Sequence, residues 1–349
     1  MKKSKKRACI ALALATVFMF TACEKENAEP VAEDPRFVKG EGVFLLNEGN
    51  FGWGNASLSY YDKLADTVYH DIFRDKNDES LGDVLNSAVI EDGMIYLVVN
   101  NSGKIVVAEA ETMKKIAVIE GLVSPRYFVP VSEDKAYVSD LFGNHIRIID
   151  TENASVSGEI PIEGWTEQIA LVNGRVYATA VQASYLYEID PQTDKVTDSL
   201  FLPPGPAALA ADNDNNLWVL AGGEAMFKSS ASLYRIDTQN FEIKAQIVLP
   251  DSPMMYFDIS FCPAGETLYI IGDNVYRMGT TDPEPNVELL IESPVSFMSS
   301  MGVDPYNGDI YITDPVDYEQ PGRVLIYNSQ GQLKSTRDAG IIPGGFSFY

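Results

Sequence analysis

Aromatic and amide side chains gather in the long loops of this chain, where they could bind a large, uncharged, amphipathic ligand. The loop richest in them, Asn47–Ser57, reads NEGNFGWGNAS. Aromatic rings can cover the apolar face of a ligand, and amides can hydrogen-bond to its polar edge. The alternative for any single ring is that it packs beneath its own loop. The predicted ligand-binding residues are Asn50, Phe51, Trp53, Asn55, Phe142, Asn144, Trp165, Gln168, Gln182, Tyr185, Phe227, Tyr256 and Tyr318.

Side chains suited to catalysis or metal binding are scarce. His70 and His145 are the only histidines, and no residues have the spacing of a zinc site. The stretch 212–216 begins like a calcium loop, but Leu217 and Gly223 replace the glycine and glutamate that such a loop needs. Cys262 lies in an apolar run that favours a small buried side chain over a reactive thiol. We predict no catalytic residue and no metal site.

A repeated pattern positions these loops. Two short apolar runs separated by a loop return roughly every 40 residues, which is the spacing of propeller blades. The first run of each copy is β-branched and aromatic, as strands are. In chain order these runs are VFLLN, IYLVV, AYVSD, VYATA, LWVLA, LYIIG and IYITD. Such repeats bury their faces only by packing against each other, so one large domain is indicated.

Turn residues divide each copy into four antiparallel strands. Asn/Asp/Gly turns precede most of the runs, as in hairpins. Third strands end in a residue whose side chain can accept hydrogen bonds from the next turn; these are Asp62, Asp150, Asp190, Asp237 and Asn328. Between the first and second copies, the stretch 78–87 could form a helical turn capped by Asp78 or Ser80.

The two ends of the pattern predict how the ring closes. The first copy starts at its second strand, with Val43, and the chain ends on an unpaired strand-like run, 341–349. Pairing these ends would leave no open edge. We therefore predict an all-β fold, a seven-bladed β-propeller of four-stranded antiparallel blades closed by its N- and C-terminal strands.

Loop geometry places the predicted binding residues on one face. In an antiparallel meander, the loops between second and third strands share a face with the connections that lead into each innermost strand. The remaining loops are short hairpins on the opposite face. The long, varied loops should therefore surround one mouth of the central channel, and long loops on rigid scaffolds often carry function.

The first residues are typical of a targeting segment. A basic start, Lys2–Arg7, precedes an apolar run, Ala8–Phe20, that is too short for a stable membrane anchor. Small residues then lead to Cys23, as in a bacterial lipoprotein signal; an ordinary secretory peptide is the alternative. We predict a signal peptide at 1–22, lipidation at Cys23, a charged flexible tether at 23–40 and the propeller at 41–349.

Charge excludes some partners. The chain has 26 Lys and Arg against 50 Asp and Glu, a net charge of −24. Removing residues 1–22 takes away five basic residues and no acidic one, which leaves −29. This balance argues against nucleic acid and against anionic membrane surfaces. Contact with the membrane is expected only through the lipid, and the protein is expected to be monomeric.

Several motifs resemble those of a known group. The run LNEGNFG at 46–52, NASLS at 55–59, Tyr61-Asp62 and LGDV at 81–84 are similar to those of YncE-like surface-lipoprotein propellers. That group includes the BtuG-type lipoproteins, which capture cobalamin and pass it to an outer-membrane transporter. The resemblance implies a lipid-anchored protein exposed at the outer-membrane surface. It also implies a corrinoid ligand, a broad amphipathic disc fringed with amides, and no other cofactor.

Three functions are consistent with this reading. The first is a binding protein without enzymatic activity that captures a corrinoid, cobalamin, beside a transporter. The second is a surface module for a glycan or a protein partner, which predicts a flatter aromatic patch. The third is a propeller hydrolase or lyase of the lactonase type, which needs a metal-binding cluster in the channel. Glu167 and Asp258 are the acidic residues available there, so we expect that the chain is not an enzyme.

Overall fold

A computed structural model describes residues 37–222, 230–252, 255–282, 285–292, 295 and 297–349. The chain divides into two units, Met1–Ala32 and Glu33–Tyr349, and every described residue belongs to the second. In these described stretches, no helix is long and apolar enough to cross a membrane.

The described residues form seven four-stranded antiparallel sheets, each one blade. Blade 1 contains β1 (Gly42–Asn47), β2 (Ser57–Asp62), β3 (Thr67–Tyr69) and the C-terminal β28 (Pro343–Phe348). Blade 2 contains β4 (Leu85–Glu91), β5 (Met94–Val99), β6 (Lys104–Glu109) and β7 (Lys115–Ile119). Blade 3 contains β8 (Pro125–Pro130), β9 (Lys135–Asp140), β10 (His145–Asp150) and β11 (Ser155–Pro161). Blade 4 contains β12 (Thr166–Val172), β13 (Arg175–Ala180), β14 (Tyr185–Asp190) and β15 (Lys195–Phe201).

The remaining blades repeat this order. Blade 5 contains β16 (Pro206–Ala211), β17 (Asn216–Ala221), β18 (Ser232–Asp237) and β19 (Glu242–Val248). Blade 6 contains β20 (Asp258–Phe261), β21 (Thr267–Ile271), β22 (Val275–Gly279) and β23 (Glu288–Ile291). Blade 7 contains β24 (Met301–Val303), β25 (Ile310–Asp314), β26 (Pro321–Tyr327) and β27 (Leu333–Ile341). The innermost strands β28, β4, β8, β12, β16, β20 and β24 contact one another in that order and close a ring. The predicted seven-bladed propeller is confirmed.

The ring closes through the two ends of the described chain, as predicted. β28 pairs with β1, with Val43 opposite Phe348 and Leu45 opposite Phe346. Below this seam, Lys63 forms an ion pair of 2.8 Å with Asp304 of blade 7, whose side chain is fully buried. The closed ring leaves no innermost strand without a neighbour on both sides.

Burial explains the composition of the strands. Every residue of β1 is buried, because the second strand of a blade is covered on both faces by the neighbouring blades. The outer strands face solvent on one side, so exposed positions alternate with half-buried ones along most of β11 and β19. The strands with continuous apolar runs are therefore the second strands, which the neighbouring blades cover.

The predicted turn residues act as expected. Asp62 Oδ1 accepts hydrogen bonds of 2.9 Å from the amides of Leu64 and Ala65. Asp150, Asp190, Asp237 and Asn328 accept bonds from turn amides in the same way. Backbone and side-chain donors lower the pKa of Asp237 to about 2. The calcium-like stretch at 212–216 is a hairpin turn, in which Asp212 Oδ1 accepts from the amide of Asn216 at 2.8 Å.

The helical turn predicted at 78–87 is misplaced. The helix α1 spans Ile72–Asn77, and Asp78 is its C-cap rather than its N-cap. Burial decides this position, because a helix beginning at Ile72 places Ile72 and Phe73 in the core. Leu85 already begins β4, so the cap-like Ser80 lies in a loop.

We expect removal of the closing strand to unfold the ring. A chain that ends at Ile342 loses β28, exposes the edge of β1 and loses the ring contacts of Phe346 and Phe348 with Tyr311. The truncation removes the partly buried Phe346 and Phe348 and the buried Tyr349, which packs against Phe44. A fully buried aromatic side chain contributes about 3–5 kcal/mol, so the combined loss is a large part of the ~5–15 kcal/mol that stabilises a whole domain.

Thermal unfolding followed by circular dichroism, with size-exclusion chromatography, measures this effect. We expect loss of the cooperative transition and formation of oligomers. Leu333→Ala, at an exposed position of β27, is the matched control and should unfold like the wild type. A truncated protein that stays monomeric and keeps the wild-type transition would show that closure does not stabilise the ring.

Candidate functional site

The long loops between second and third strands meet on one side of the ring, which we call the loop face. The described loops are 48–56, 100–103, 141–144, 181–184, 272–274 and 315–320. The connections that lead into the innermost strands end on the same side. The short hairpins lie on the opposite side, which we call the turn face. The loop face therefore carries the longer and more varied of the described loops.

The first aromatic group on this face comes from blades 7 and 1. Phe51 and Trp53, in the β1–β2 loop, expose 75% and 77% of their surface. Tyr318 of the β25–β26 loop packs edge-to-face with Phe297, their ring centroids 5.9 Å apart. Asn50 joins the two loops by donating from Nδ2 to the carbonyl of Tyr318 at 2.7 Å. These loops are held together, and their rings remain exposed.

The second aromatic group comes from blades 3 and 4. Phe142 lies in the β9–β10 loop, and Trp165 lies in the connection into β12. Their rings pack edge-to-face with centroids 5.5 Å apart and planes at 90°. Both rings are exposed to solvent.

The blade order sets the two groups on opposite sides of the channel mouth. Blades 3 and 4 lie three positions round a seven-membered ring from blades 7 and 1. Exposed apolar side chains that cluster on a surface often mark a binding site. A ligand broad enough to span the mouth would touch both groups.

The other predicted binding residues differ in exposure and in the contacts that they make. Asn55 is used within its own loop, because its Oδ1 accepts from the amide of Asn50 at 2.8 Å. Asn144 and Gln182 are exposed on the loop face. Tyr185 is half-buried and packs against Phe201.

Two predicted residues stand apart. Tyr256 is 2% exposed and donates to the carbonyl of Pro250 at 3.0 Å, so its ring is part of the core. Phe227 lies outside the described residues.

Beneath the mouth, the channel holds a polar cavity of about 300 Å³. All seven blades contribute to its lining, and Gln168 is the one lining residue that belongs to the predicted ligand-binding set. The lining residues are Glu48, Asn86, Arg126, Tyr127, Glu167, Gln168, Val181, Ala207, Phe257, Asp258, Ser299, Ser300 and Gly344.

Bulges in the innermost strands turn these side chains toward the axis. Register shifts bracket Gly344 in blade 1, Asn86 in blade 2, 126–127 in blade 3, 167–168 in blade 4 and Ala207 in blade 5. A bulge places extra residues opposite one partner and re-aims their side chains. The same local feature therefore builds most of the cavity.

Side chains of the second strands satisfy the bulged backbone. Ser139 Oγ accepts from the amide of Tyr127 at 3.0 Å, and Thr179 Oγ1 donates to the carbonyl of Gln168 at 3.2 Å. Ser139 and Thr179 occupy the same position in the runs AYVSD and VYATA. This polar residue inside an apolar run is the one sequence signal that could have revealed the bulges.

Arg126 and Glu167 form the strongest polar contact in the cavity. Arg126 donates from Nε at 2.8 Å and from Nη2 at 2.5 Å to Glu167 Oε1. Burial lowers the pKa of the Arg126 guanidinium, but Glu167, with smaller contributions from Tyr127 and Glu48, outweighs burial, so the pKa is raised. The opposite charges of Arg126 and Glu167 therefore largely compensate each other.

Glu48 and Asp258 are less well compensated. Burial raises the pKa of Glu48, although Arg126 partly opposes this effect. Burial also raises the pKa of Asp258 to about 6, against hydrogen bonds from the amide of Ile259 and from Gln168. Burial likewise raises the pKa of Tyr127, so its phenol stays neutral.

A metal-dependent propeller enzyme would need its metal-binding side chains in this cavity. Glu167 and Asp258 do line it, with Glu48 as a third carboxylate. Within the described parts of the chain, however, no three His, Cys, Asp or Glu side chains are grouped so that they could hold a metal ion.

Solved structures share this fold at low sequence identity. A putative 6-phosphogluconolactonase from Bacteroides fragilis is 10% identical with a TM-score of 0.71, covering 90% of this chain and 100% of that one. The periplasmic gluconolactonase of Pseudomonas aeruginosa is 10% identical with a TM-score of 0.69, covering 88% of this chain and 98% of that one. A quinoprotein alcohol dehydrogenase-like protein from Bacteroides thetaiotaomicron is 15% identical with a TM-score of 0.67, covering 88% and 78%.

These likenesses show the fold, and they correct one expectation. Proteins described as lactonases share this architecture. The expectation that the chain is not an enzyme, which was based on its fold and its few acidic channel residues, is therefore wrong. No curated protein sequence matches this chain. One family does match: residues 41–336 fit the family described as "Domain of unknown function (DUF5074)". Because the match covers most of the chain, the protein belongs to the DUF5074 family.

Proposed function

We propose that this protein binds a broad amphipathic small molecule on its loop face, and that the molecule is a corrinoid. The observation that carries the proposal is the pair of exposed aromatic groups on opposite sides of the channel mouth, Phe51 with Trp53 and Phe142 with Trp165. A disc-shaped ligand could lie across the mouth between them.

The preformed shape of the loops favours binding. Asn50 contacts both Asn55 and the carbonyl of Tyr318, so the loop that carries Trp53 is tied to blade 7. In addition, Gly52 donates its amide to Asp83 Oδ2 at 2.8 Å. Loops that are already ordered lose less conformational entropy on binding.

Polar side chains at the rim of the site suit the fringe of such a ligand. The corrin ring offers apolar faces to aromatic side chains, and its amides can reach hydrogen-bonding groups at the rim. Exposed Asn144 and Gln182 stand at the rim. The choice of a corrinoid rests on the resemblance of Leu46–Gly52 and Leu81–Val84 to the YncE-like group.

We also propose that the protein is held at the outer-membrane surface by a lipid on Cys23 and passes its ligand to an outer-membrane transporter. The support is in the sequence: the basic segment Lys2–Arg7, the apolar run Ala8–Phe20 and the cysteine that follows.

Titration with cyanocobalamin tests the ligand. We expect one-to-one binding by calorimetry, and we expect Trp53→Ala and Trp165→Ala each to weaken it by about 30-fold, since buried aromatic contacts typically carry 2 kcal/mol or more. Leu64→Ala is the matched control. Leu64 is 71% exposed in the turn after β2, on the turn face, so its loss should leave affinity unchanged.

Other outcomes would redirect the assignment. No binding at micromolar protein would overturn the corrinoid and favour a glycan or a protein partner for the same rings. Binding that both tryptophan variants retain would place the ligand away from the loop face.

Replacement of the lipidated residue tests the anchor. In Cys23→Ser we expect loss of labelling by radioactive palmitate and release of the protein from the membrane fraction, because serine offers no thiol for the lipid. Cys262→Ser, in the propeller, is the control and should keep both. A Cys23→Ser protein that is still labelled would contradict the anchor.

A further inference from the structure

We propose that the channel cavity is a second binding site, for a small organic cation that carries primary ammonium groups. This site lies below the loop face and is built by different residues. The proposal therefore does not depend on which ligand the aromatic groups hold.

Hydrogen-bonding capacity points to a ligand rich in donors. Among the described residues, no side chain or amide donates to either oxygen of Glu48 or to Asp258 Oδ2, although both side chains line the cavity. Glu167 Oε2 is also unused, because Arg126 binds only Oε1. Arg126 Nη1 is the one charged donor left among the lining residues, beside the neutral hydroxyls of Tyr127 and Ser300. Four free carboxylate oxygens thus face one charged donor and two hydroxyls.

Charge points in the same direction. Arg126 is already paired with Glu167, so it does not compensate the other two carboxylates fully. With Glu48 and Asp258 ionised, the cavity carries a net charge of about −2, and an unpaired charge in such a site is costly. A bound cation would remove that cost, and its ammonium protons would satisfy the free oxygens.

The cavity is organised for a ligand and not merely acidic. Gly344 has no Cβ, and a Cβ there would collide with Glu48 Oε1, so glycine lets this carboxylate turn into the channel. Gln168 Nε2 donates to Asp258 Oδ1 at 3.3 Å, while its Oε1 accepts from the amide of Leu209 at 2.8 Å. These contacts hold Asp258 with its second oxygen free.

Shape distinguishes an organic cation from a metal ion. No three acidic side chains in the described chain converge closely enough to hold a metal. The carboxylates are instead spread around the ring, on blades 1, 4 and 6. A short diamine has two charged ends that can reach separate carboxylates, and a volume of about 300 Å³ is at the small end of ligand sites.

Calorimetry with 1,4-diaminobutane tests the proposal on the full protein, and 1,4-butanediol is the uncharged ligand of equal length. We expect saturable one-to-one binding of the diamine, at least about tenfold tighter than the diol. Glu48→Gln and Asp258→Asn should each weaken the diamine by about tenfold or more, because each removes one charge and little volume. Glu91→Gln, on the turn face, changes the net charge by the same amount and should bind the diamine like the wild type.

The pH dependence provides a second readout. Asp258 shares the cavity with Arg126 and Tyr127 of blade 3, Glu167 and Gln168 of blade 4 and Glu48 of blade 1. Its pKa of about 6 means that it is charged above and neutral below that pH. Affinity for the diamine should therefore fall as pH drops from 7 to 5. Asp258→Asn should flatten that part of the curve.

Several results would overturn the site. They are equal affinity for the diol, no diamine binding at about 10 mM, or a Glu48→Gln protein that folds normally and binds unchanged. If Glu48→Gln does not fold, Asp258→Asn decides, since its Oδ1 can still accept both present hydrogen bonds. Trp53→Ala should leave diamine affinity unchanged, which separates this site from the loop face.

Discussion

The pairing of β28 with β1 is the contact on which the rest of the molecule depends. A blade has two apolar faces, and both are covered only when the ring is complete. The seam is strengthened on both sides of the sheet: Asn50 ties blade 1 to Tyr318 on the loop face, and Lys63 binds Asp304 near the turn face. The channel, the cavity and the opposed aromatic groups all exist because seven blades are held at fixed angles. The two proposed sites therefore depend on the closed ring and not on any one blade.

Much of this architecture follows from local sequence. The seven apolar runs, the Asn/Asp/Gly turns and the Asp or Asn at the end of third strands act over a few residues, so their outcome can be read directly; Asp62 and Asp237 bind their turn amides as expected. The helix was misplaced because its position depends on burying Ile72 and Phe73, which is a tertiary effect. Bulges were missed for a related reason. A register shift between two strands leaves only a weak trace, such as Ser139 and Thr179 in otherwise apolar runs.

The same contrast between local and tertiary effects applies to the predicted binding residues. Loop position correctly indicated that Trp53 and Trp165 face solvent, because topology alone decides on which face a loop lies. It could not separate exposed rings from packed ones. The ring of Tyr256 fits against Gly272, where a Cβ would approach its Cδ1 to 2.9 Å. That small neighbour gives the ring a buried place that sequence spacing does not reveal. The role of Asn50 was also hidden, since its partner Tyr318 is 268 residues away.

The channel is where this protein departs from the rule that interiors are apolar or fully paired. Consistent local and global preferences are expected throughout a stable fold, and exceptions concentrate at functional sites. Glu48 and Asp258 are such exceptions, because burial raises the pKa of both and neither has a charged partner of its own. Apolar residues at these two positions would remove this electrostatic cost. A fold whose blades are built by repetition could readily fill this space with small apolar side chains, as Val181 and Ala207 do on one side. The charges on the other side, positioned by bulges and by Gln168, are the feature on which the proposed cation site rests.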